Sequence, residues 1–184
     1  MNKAVFFDKD GTLIKDVPYN IDPLLVELEK GVIESLRRLQ QMDYQLVIIS
    51  NQSGIALGFF SEQNFLRLKD YLLKLFEIEG VVFGGFYYCP HHPNGKNSNY
   101  NKTCDCRKPA PGLLLQAAKE LDIDLNASWM VGDILHDVEA GNQAGCRSIL
   151  INNGNETEWD LTVIRTPTHI ATDLSEVTDY ILNS

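Results

Sequence analysis

No apolar run in this 184-residue chain approaches the roughly 20 residues that cross a bilayer; Leu46-Val47-Ile48-Ile49 is typical of the longest. A membrane span is therefore not expected. Basic residues are scarce as well. The 16 Lys and Arg against 25 Asp and Glu leave a net charge of −9, which argues against a nucleic-acid-binding surface. A small phosphate ester stays open as a ligand, because a few cations concentrated at a site suffice to hold it. Internal repeats and low-complexity tracts are missing. The chain enters the apolar Ala4–Phe7 almost at once, with no h-region and small-residue cleavage site, so we expect no secretory signal and a cytoplasmic location.

What is present is an ordinary globular composition, 44% hydrophobic and 22% charged, which predicts one domain over residues 1–184. Strand-like runs alternate with helical patterns: Ala4–Phe7 then Val32–Met42, Gln45–Ser50 then Glu62–Ile78, Val81–Tyr88 then Gly112–Leu121. Trp129–Val131, Val138–Ala144 and Ser148–Ile151 continue the rhythm. It predicts a three-layer, mainly parallel α/β sheet with helices on both faces. Phe65, Leu68, Leu72, Leu75 and Phe76 recur at helical spacing and are read as core. Asp173 followed by Glu176 reads as a cap and its answering glutamate, opening a last helix over Glu176–Leu182.

Ligands of such sheets collect beyond the carboxyl ends of the strands, and three strand ends here carry polar residues. Asp8 and Asp10 follow the first strand; if the strand continues they share a face, and Gly11 lets the chain turn just past them. Two carboxylates that close call for a cation, and Mg²⁺ suits them. Ser50 and Asn51, followed by Gln52 and Ser53, come after the second strand, where they can donate to phosphate oxygens or simply cap a helix. Asp133 follows Trp129–Gly132, with Asp137 as a helix-capping or supporting carboxylate. Arg107 and Lys108 precede a helix beginning near Pro111: the ammonium can stabilise a transferring phosphoryl group, and the guanidinium can grip a second anion with two bonds.

The irregular stretch Cys89–Pro111 holds three cysteines and two histidines, Cys89, His91, His92, Cys104 and Cys106. Zinc is the natural explanation, in a closed structural Cys₃His set, with a disulfide as the competing reading. Either histidine can complete the set. Zinc in this loop would position the neighbouring Arg107 and Lys108. Cys146 stands apart and reads as a buried thiol.

Asp8-Lys9-Asp10-Gly11-Thr12 after an apolar strand, then Ser50, Lys108 and Gly132-Asp133 in that order, resemble the four motifs of the haloacid dehalogenase superfamily of phosphatases. The resemblance implies Asp8 as nucleophile, Asp10 as general acid/base, and Ser50 and Lys108 as holders of the phosphoryl group. Mg²⁺ is then bound by Asp8, the Asp10 backbone carbonyl and Asp133. Tyr87-Tyr88-Cys89-Pro90-His91-His92-Pro93 and Cys104-Asp105-Cys106-Arg107-Lys108-Pro109 narrow the match to the heptose 1,7-bisphosphate 7-phosphatases, from about residue 3 to 151. That family implies no large cap domain and zinc on Cys89, His91, Cys104 and Cys106. It also implies removal of the C7 phosphate of a heptose bisphosphate for nucleotide-activated heptose, and a segment Asp16–Tyr19 touching the substrate. Asn51, Gln52, Ser53 and Arg107 are the further substrate-binding candidates, and a monomer is expected.

Histidinol-phosphate phosphatases share the zinc loop and are the near alternative. A phospho-accepting receiver domain is the alternative of another class, although Asp10 and the zinc loop speak against it; a polynucleotide 3′-phosphatase is a weaker third. Lys9, where the family often has Arg, and the divergent tail after Asn152 leave substrate preference open.

Overall fold

The computed structural model describes residues 1–184. Six strands, β1 (Lys3–Phe7), β2 (Tyr44–Asn51), β3 (Gly85–Cys89), β4 (Trp129–Gly132), β5 (Arg147–Ile151) and β6 (His169–Ala171), form one sheet in the order β3-β2-β1-β4-β5-β6. Every pairing is parallel, so all six carboxyl ends lie along one edge. The order reverses at β1, which places the residues after β1 at the crevice where ligands of such sheets bind.

Alternation along the buried strands feeds two cores. Val5, Phe7, Ile48 and Val131 face one side, covered by α1 (Val32–Gln41), α3 (Glu62–Ile78) and α6 (Leu174–Leu182); their contacts include Leu36, Leu39, Leu68, Leu72, Val177 and Ile181. Ala4, Phe6, Val47, Ile49 and Met130 face the other, covered by α4 (Gly112–Leu121) and α5 (Leu135–Ala144). At 1.5–3 kcal/mol for each fully buried large side chain, these two layers supply most of the drive for folding. No helix is long and apolar enough to cross a membrane.

Three expectations need correction. The run Val81–Tyr88 is not one strand: β3 starts at Gly85, because the Val81 amide turns back onto the Phe76 carbonyl to close α3, and the chain reaches the sheet only afterwards. The fourth long helix, α5, begins at Leu135 rather than Val138, since the Asp137 carboxylate accepts the Ile134 amide at 3.3 Å and so closes its first turn. In the last helix Asp173 does cap, accepting from the Glu176 amide at 3.0 Å, but Glu176 reaches one residue further back, to the Thr172 amide at 2.8 Å, and the helix starts at Leu174. Both β6 and the short helix α2 (Ser53–Leu57) are additions; each is too brief to show a period of its own.

Candidate active site

The turn after β1 is tight. Gly11 adopts φ +77°, its amide donates to the Ile14 carbonyl, and the amides of Leu13 and Ile14 fold back onto the Lys9 carbonyl. The left-handed angle favours glycine, and so does the space: a Cβ at Gly11 would collide with the Asp133 carboxylate. Asp8 and Asp10 thereby reach one cavity of about 280 Å³, whose lining also includes Asp16, Asn51, Lys108, Asp133, Asp137 and Asn155.

Lys108 arrives from the end of the cysteine loop, and Asn51 fixes its backbone. The Lys108 amide donates to Asn51 Oδ1 and Asn51 Nδ2 donates to the Lys108 carbonyl, both at 3.0 Å. Its ammonium then sits 2.6 Å from Asp8 Oδ1, 2.6 Å from Asp137 Oδ1 and 2.9 Å from the Ile49 carbonyl. Burial works against that charge, but the Asp137 and Asp8 carboxylates more than offset it and hold Lys108 above its ordinary value.

One ammonium faces three carboxylates, for oxygens of Asp8, Asp133 and Asp137 lie within 4.8 Å of one another. Asp133 bears the imbalance: burial, then Asp8 and Asp137, push it up to about 8. Asp137 is likewise raised, to about 6, by burial against the pull of Lys108. The Asp10 carbonyl accepts no hydrogen bond from the chain. An oxygen-rich, undercompensated pocket of this kind fits a hard divalent cation such as Mg²⁺. Asp8, Asp133 and the Asp10 carbonyl could hold it, and the ion would neutralise charge that Lys108 leaves over.

A pH dependence follows. The unfolded chain ionises Asp133 near 3.8, whereas the folded chain keeps the proton up to about 8. The folded state therefore binds more protons across that interval, and stability without magnesium falls as pH rises through it. Magnesium should raise the melting temperature more at about pH 8.5 than at about pH 5.5, as scanning calorimetry on zinc-retaining protein will show.

Ser50, at the end of β2, is buried, and its Oγ accepts from Gln52 Nε2 at 2.9 Å; the same amide lies 3.4 Å from Asp10 Oδ2. The Lys9 ammonium contacts Asp10 Oδ1 at 2.5 Å. Burial raises Asp10 above the usual carboxylate range even though Lys9 pulls it down. Lys9, Asp10, Asp16, Tyr19, Gln52 and Ser53 line a second cavity of about 280 Å³. Asp10, Asp16 and Asn51 border both cavities, so the two form one cleft. Tyr19 has φ +57°, and its ring packs on Phe59 with centroids 4.3 Å apart at the rim. Arg107 is not brought to the lining; its Nη1 donates to the His91 carbonyl at 3.4 Å.

In the sequence one participant had only a supporting or capping role and another went unassigned. Asp137 proves to be a full member of the charge cluster; its spacing of four from Asp133 across a helix start was the available signal. Asn155 had none beyond its place after a strand end.

The cysteines form no disulfide. Cys89 Sγ, His91 Nδ1, Cys104 Sγ and Cys106 Sγ converge within 4.8 Å, with Cys106 at 3.0 Å from Cys89, 3.2 Å from Cys104 and 3.3 Å from His91 Nδ1. Three thiols and an imidazole gathered this closely fit tetrahedral Zn²⁺. His92 stays outside, its Nδ1 accepting from the Asn94 amide at 3.1 Å. The cluster is fixed to the sheet through Cys89, the last residue of β3, which pairs in register with Asn51. The Cys89 carbonyl also accepts the Gln52 amide at 2.8 Å, which ties the cluster to the Ser50 strand end.

Comparison with known proteins agrees with this geometry. A family model described as HAD-hydrolase-like matches residues 105–177. The D-glycero-β-D-manno-heptose-1,7-bisphosphate 7-phosphatase of Pasteurella multocida (strain Pm70) is 47% identical over 161 residues, covering 87% of each chain. This chain belongs to the D-glycero-β-D-manno-heptose-1,7-bisphosphate 7-phosphatase family. The family member of Escherichia coli (strain K12) is 39% identical over 181 residues, covering 98% of this chain and 88% of its own. Among solved structures, D,D-heptose 1,7-bisphosphate phosphatase from B. bronchiseptica, complexed with magnesium and phosphate, superposes with a TM-score of 0.80 at 29% identity, covering 98% of both chains.

For this member of the heptose bisphosphate phosphatase family, zinc removal should act through Lys108. The Cys104→Ser variant is expected to lose its zinc by elemental analysis and to lose most phosphatase activity, because the segment that carries Lys108 into the cleft is no longer pinned at residues 104 and 106. Full activity in a zinc-free Cys104→Ser protein would show that the loop holds itself.

Proposed function

We propose that this chain removes the C7 phosphate of D-glycero-D-manno-heptose 1,7-bisphosphate through an aspartyl-phosphate intermediate, supplying nucleotide-activated heptose biosynthesis. In this reading it acts as a cytoplasmic monomer, one phosphatase domain over residues 1–184 with its zinc loop at 89–108. One observation carries the chemistry: the Asp8 carboxylate lies in a polar cleft with Lys108 at 2.6 Å and with Asp10 on the wall that the second cavity shares. A nucleophile, a cation for the phosphoryl oxygens and a second acid are thus within one cleft.

Asp8 attacks phosphorus, and the bond from phosphorus to the sugar oxygen breaks. Asp10, whose burial favours its protonated form, donates a proton to that departing oxygen. It then takes a proton from the water that attacks the phosphorus of the acyl phosphate, which frees inorganic phosphate and restores Asp8. Ser50 and Lys108 hold the non-bridging oxygens, where charge gathers. Bound magnesium supplies further positive charge beside Asp8 and Asp133. Asn51 acts by holding the Lys108 backbone, and Asp137 by setting the direction of its ammonium. Asp16, Tyr19, Gln52 and Ser53, which line the second cavity, are the residues assigned to the rest of the sugar.

The decisive experiment compares magnesium-dependent phosphate release from both anomers of heptose 1,7-bisphosphate and from histidinol phosphate. We expect the heptose to be favoured. Preference for histidinol phosphate would overturn the substrate, and an acyl phosphate that persisted for minutes without release would overturn the enzyme in favour of a receiver.

A further inference from the structure

The segment after β5 returns over the cleft and is tied there at several points. Asn153 Nδ2 donates to the Gly11 carbonyl at 2.7 Å, and Glu156 Oε2 accepts the Leu135 amide at 2.6 Å at the start of α5. Farther along, Arg165 reaches Glu139 of α5 at 3.5 Å. Between these ties Asn155 extends its amide into the cavity and donates to Asp133 Oδ2 at 2.6 Å. The other oxygen of Asp133 has a long side-chain contact, 3.4 Å from Thr12 Oγ1. Gly11 is what allows the approach, since a Cβ there would lie 2.5 Å from Asn155 Nδ2 as well as against Asp133.

We infer that Asn155 is a positioning residue for the magnesium site, holding the Asp133 carboxylate in the orientation that receives the cation. A carboxylate joined to its backbone by one methylene can rotate, and its close neighbours Asp8 and Asp137 are like-charged groups that repel it rather than hold it still, Lys108 being paired with those two. A neutral amide donor fixes one oxygen without adding charge that competes with the metal, as partners of metal-bound carboxylates do. Thr12, at its greater distance, is the weaker constraint. The strap carrying Asn155 is thus part of the metal site although it lies outside the four phosphatase motifs.

The inference rests on Asp133 as a magnesium ligand, and the experiment separates the two. Full-length, zinc-retaining protein freed of magnesium is titrated with MgCl₂ by calorimetry as wild type, Asn155→Ala, Asn155→Ser, Arg165→Ala and Asp133→Asn. Asn155→Ala should weaken magnesium about tenfold. Its melting temperature without magnesium should stay within about 2 °C of wild type, and its kcat should recover at saturating magnesium. Asn155→Ser, too short to reach Asp133, should behave alike and serves if the alanine variant is poorly made. Unchanged magnesium affinity in both Asn155 variants overturns the inference. So does an equal weakening in Arg165→Ala, which would mean that the strap matters only as a prop. Wild-type affinity in Asp133→Asn would instead refute the metal assignment beneath it.

Discussion

Asp8→Asn is expected to abolish magnesium-dependent phosphate release, a loss of roughly 10⁴-fold or more, as removal of a covalent nucleophile brings. The exchange is nearly isosteric, so the turn at Gly11 and the β1 pairing have no reason to move. Lys108 keeps Asp137 and the Ile49 carbonyl as partners, so the fold survives. Asp8 also borders the cation site, and the variant should bind magnesium more weakly. The two roles separate in one measurement, because saturating magnesium can repair weak binding but cannot make an amide attack phosphorus. Mass spectrometry of acid-quenched enzyme should show a phosphoryl adduct in wild type and none in the variant. Near-normal turnover of Asp8→Asn would remove the covalent route altogether.

Lys108→Met has the second largest effect, and it falls on stability as well as rate. Methionine fills a similar volume but leaves Asp8 and Asp137 without the ammonium that each contacts at 2.6 Å. Stripping one partner from a buried ion pair costs about 3–5 kcal/mol, on the order of 10 °C in a domain of this size. The sign with pH is informative. Lys108 is held above its ordinary 10.5, so the stability it contributes is complete below that value and fades only as pH rises through its still higher folded value. It is therefore constant over the neutral range in wild type. Without it, Asp137 loses the charge that pulls it down and protonates more readily, and the variant should regain stability as pH is lowered toward about 5. Melting curves in magnesium-free buffer at about pH 5.5 and pH 8.5 test this, a pH-independent deficit being the contrary result. The rate at neutral pH should fall by about 10²–10³, the usual cost of one donor to a developing oxyanion.

Much of this site was legible because its parts are local. Asp8, Asp10 and Gly11 lie within four residues, and the parallel βα rhythm assigns each motif to a strand end; the sheet places all of those ends on one edge. Zinc was legible from ligand chemistry alone. Ligand chemistry left His91 and His92 equal and the family resemblance favoured His91; the physical reason was not legible, for it lies in which ring the folded loop turns toward Cys106. Nor was the commitment of both polar atoms of Asn51 to Lys108, 57 residues away, where the sequence offered only a possible phosphate donor.

By itself, then, the sequence determined the sheet class, the carboxylate pair, the zinc-binding cysteines and the family, since each is written in residue types at short spacing. The tertiary structure alone decided that Asp137 shares Lys108 with Asp8 and that Asn155 reaches back 22 residues to Asp133. Hydrogen bonds and ion pairs between distant segments leave no period in a chain; they exist only once burial has brought the strand ends together and removed the water that would otherwise satisfy those groups.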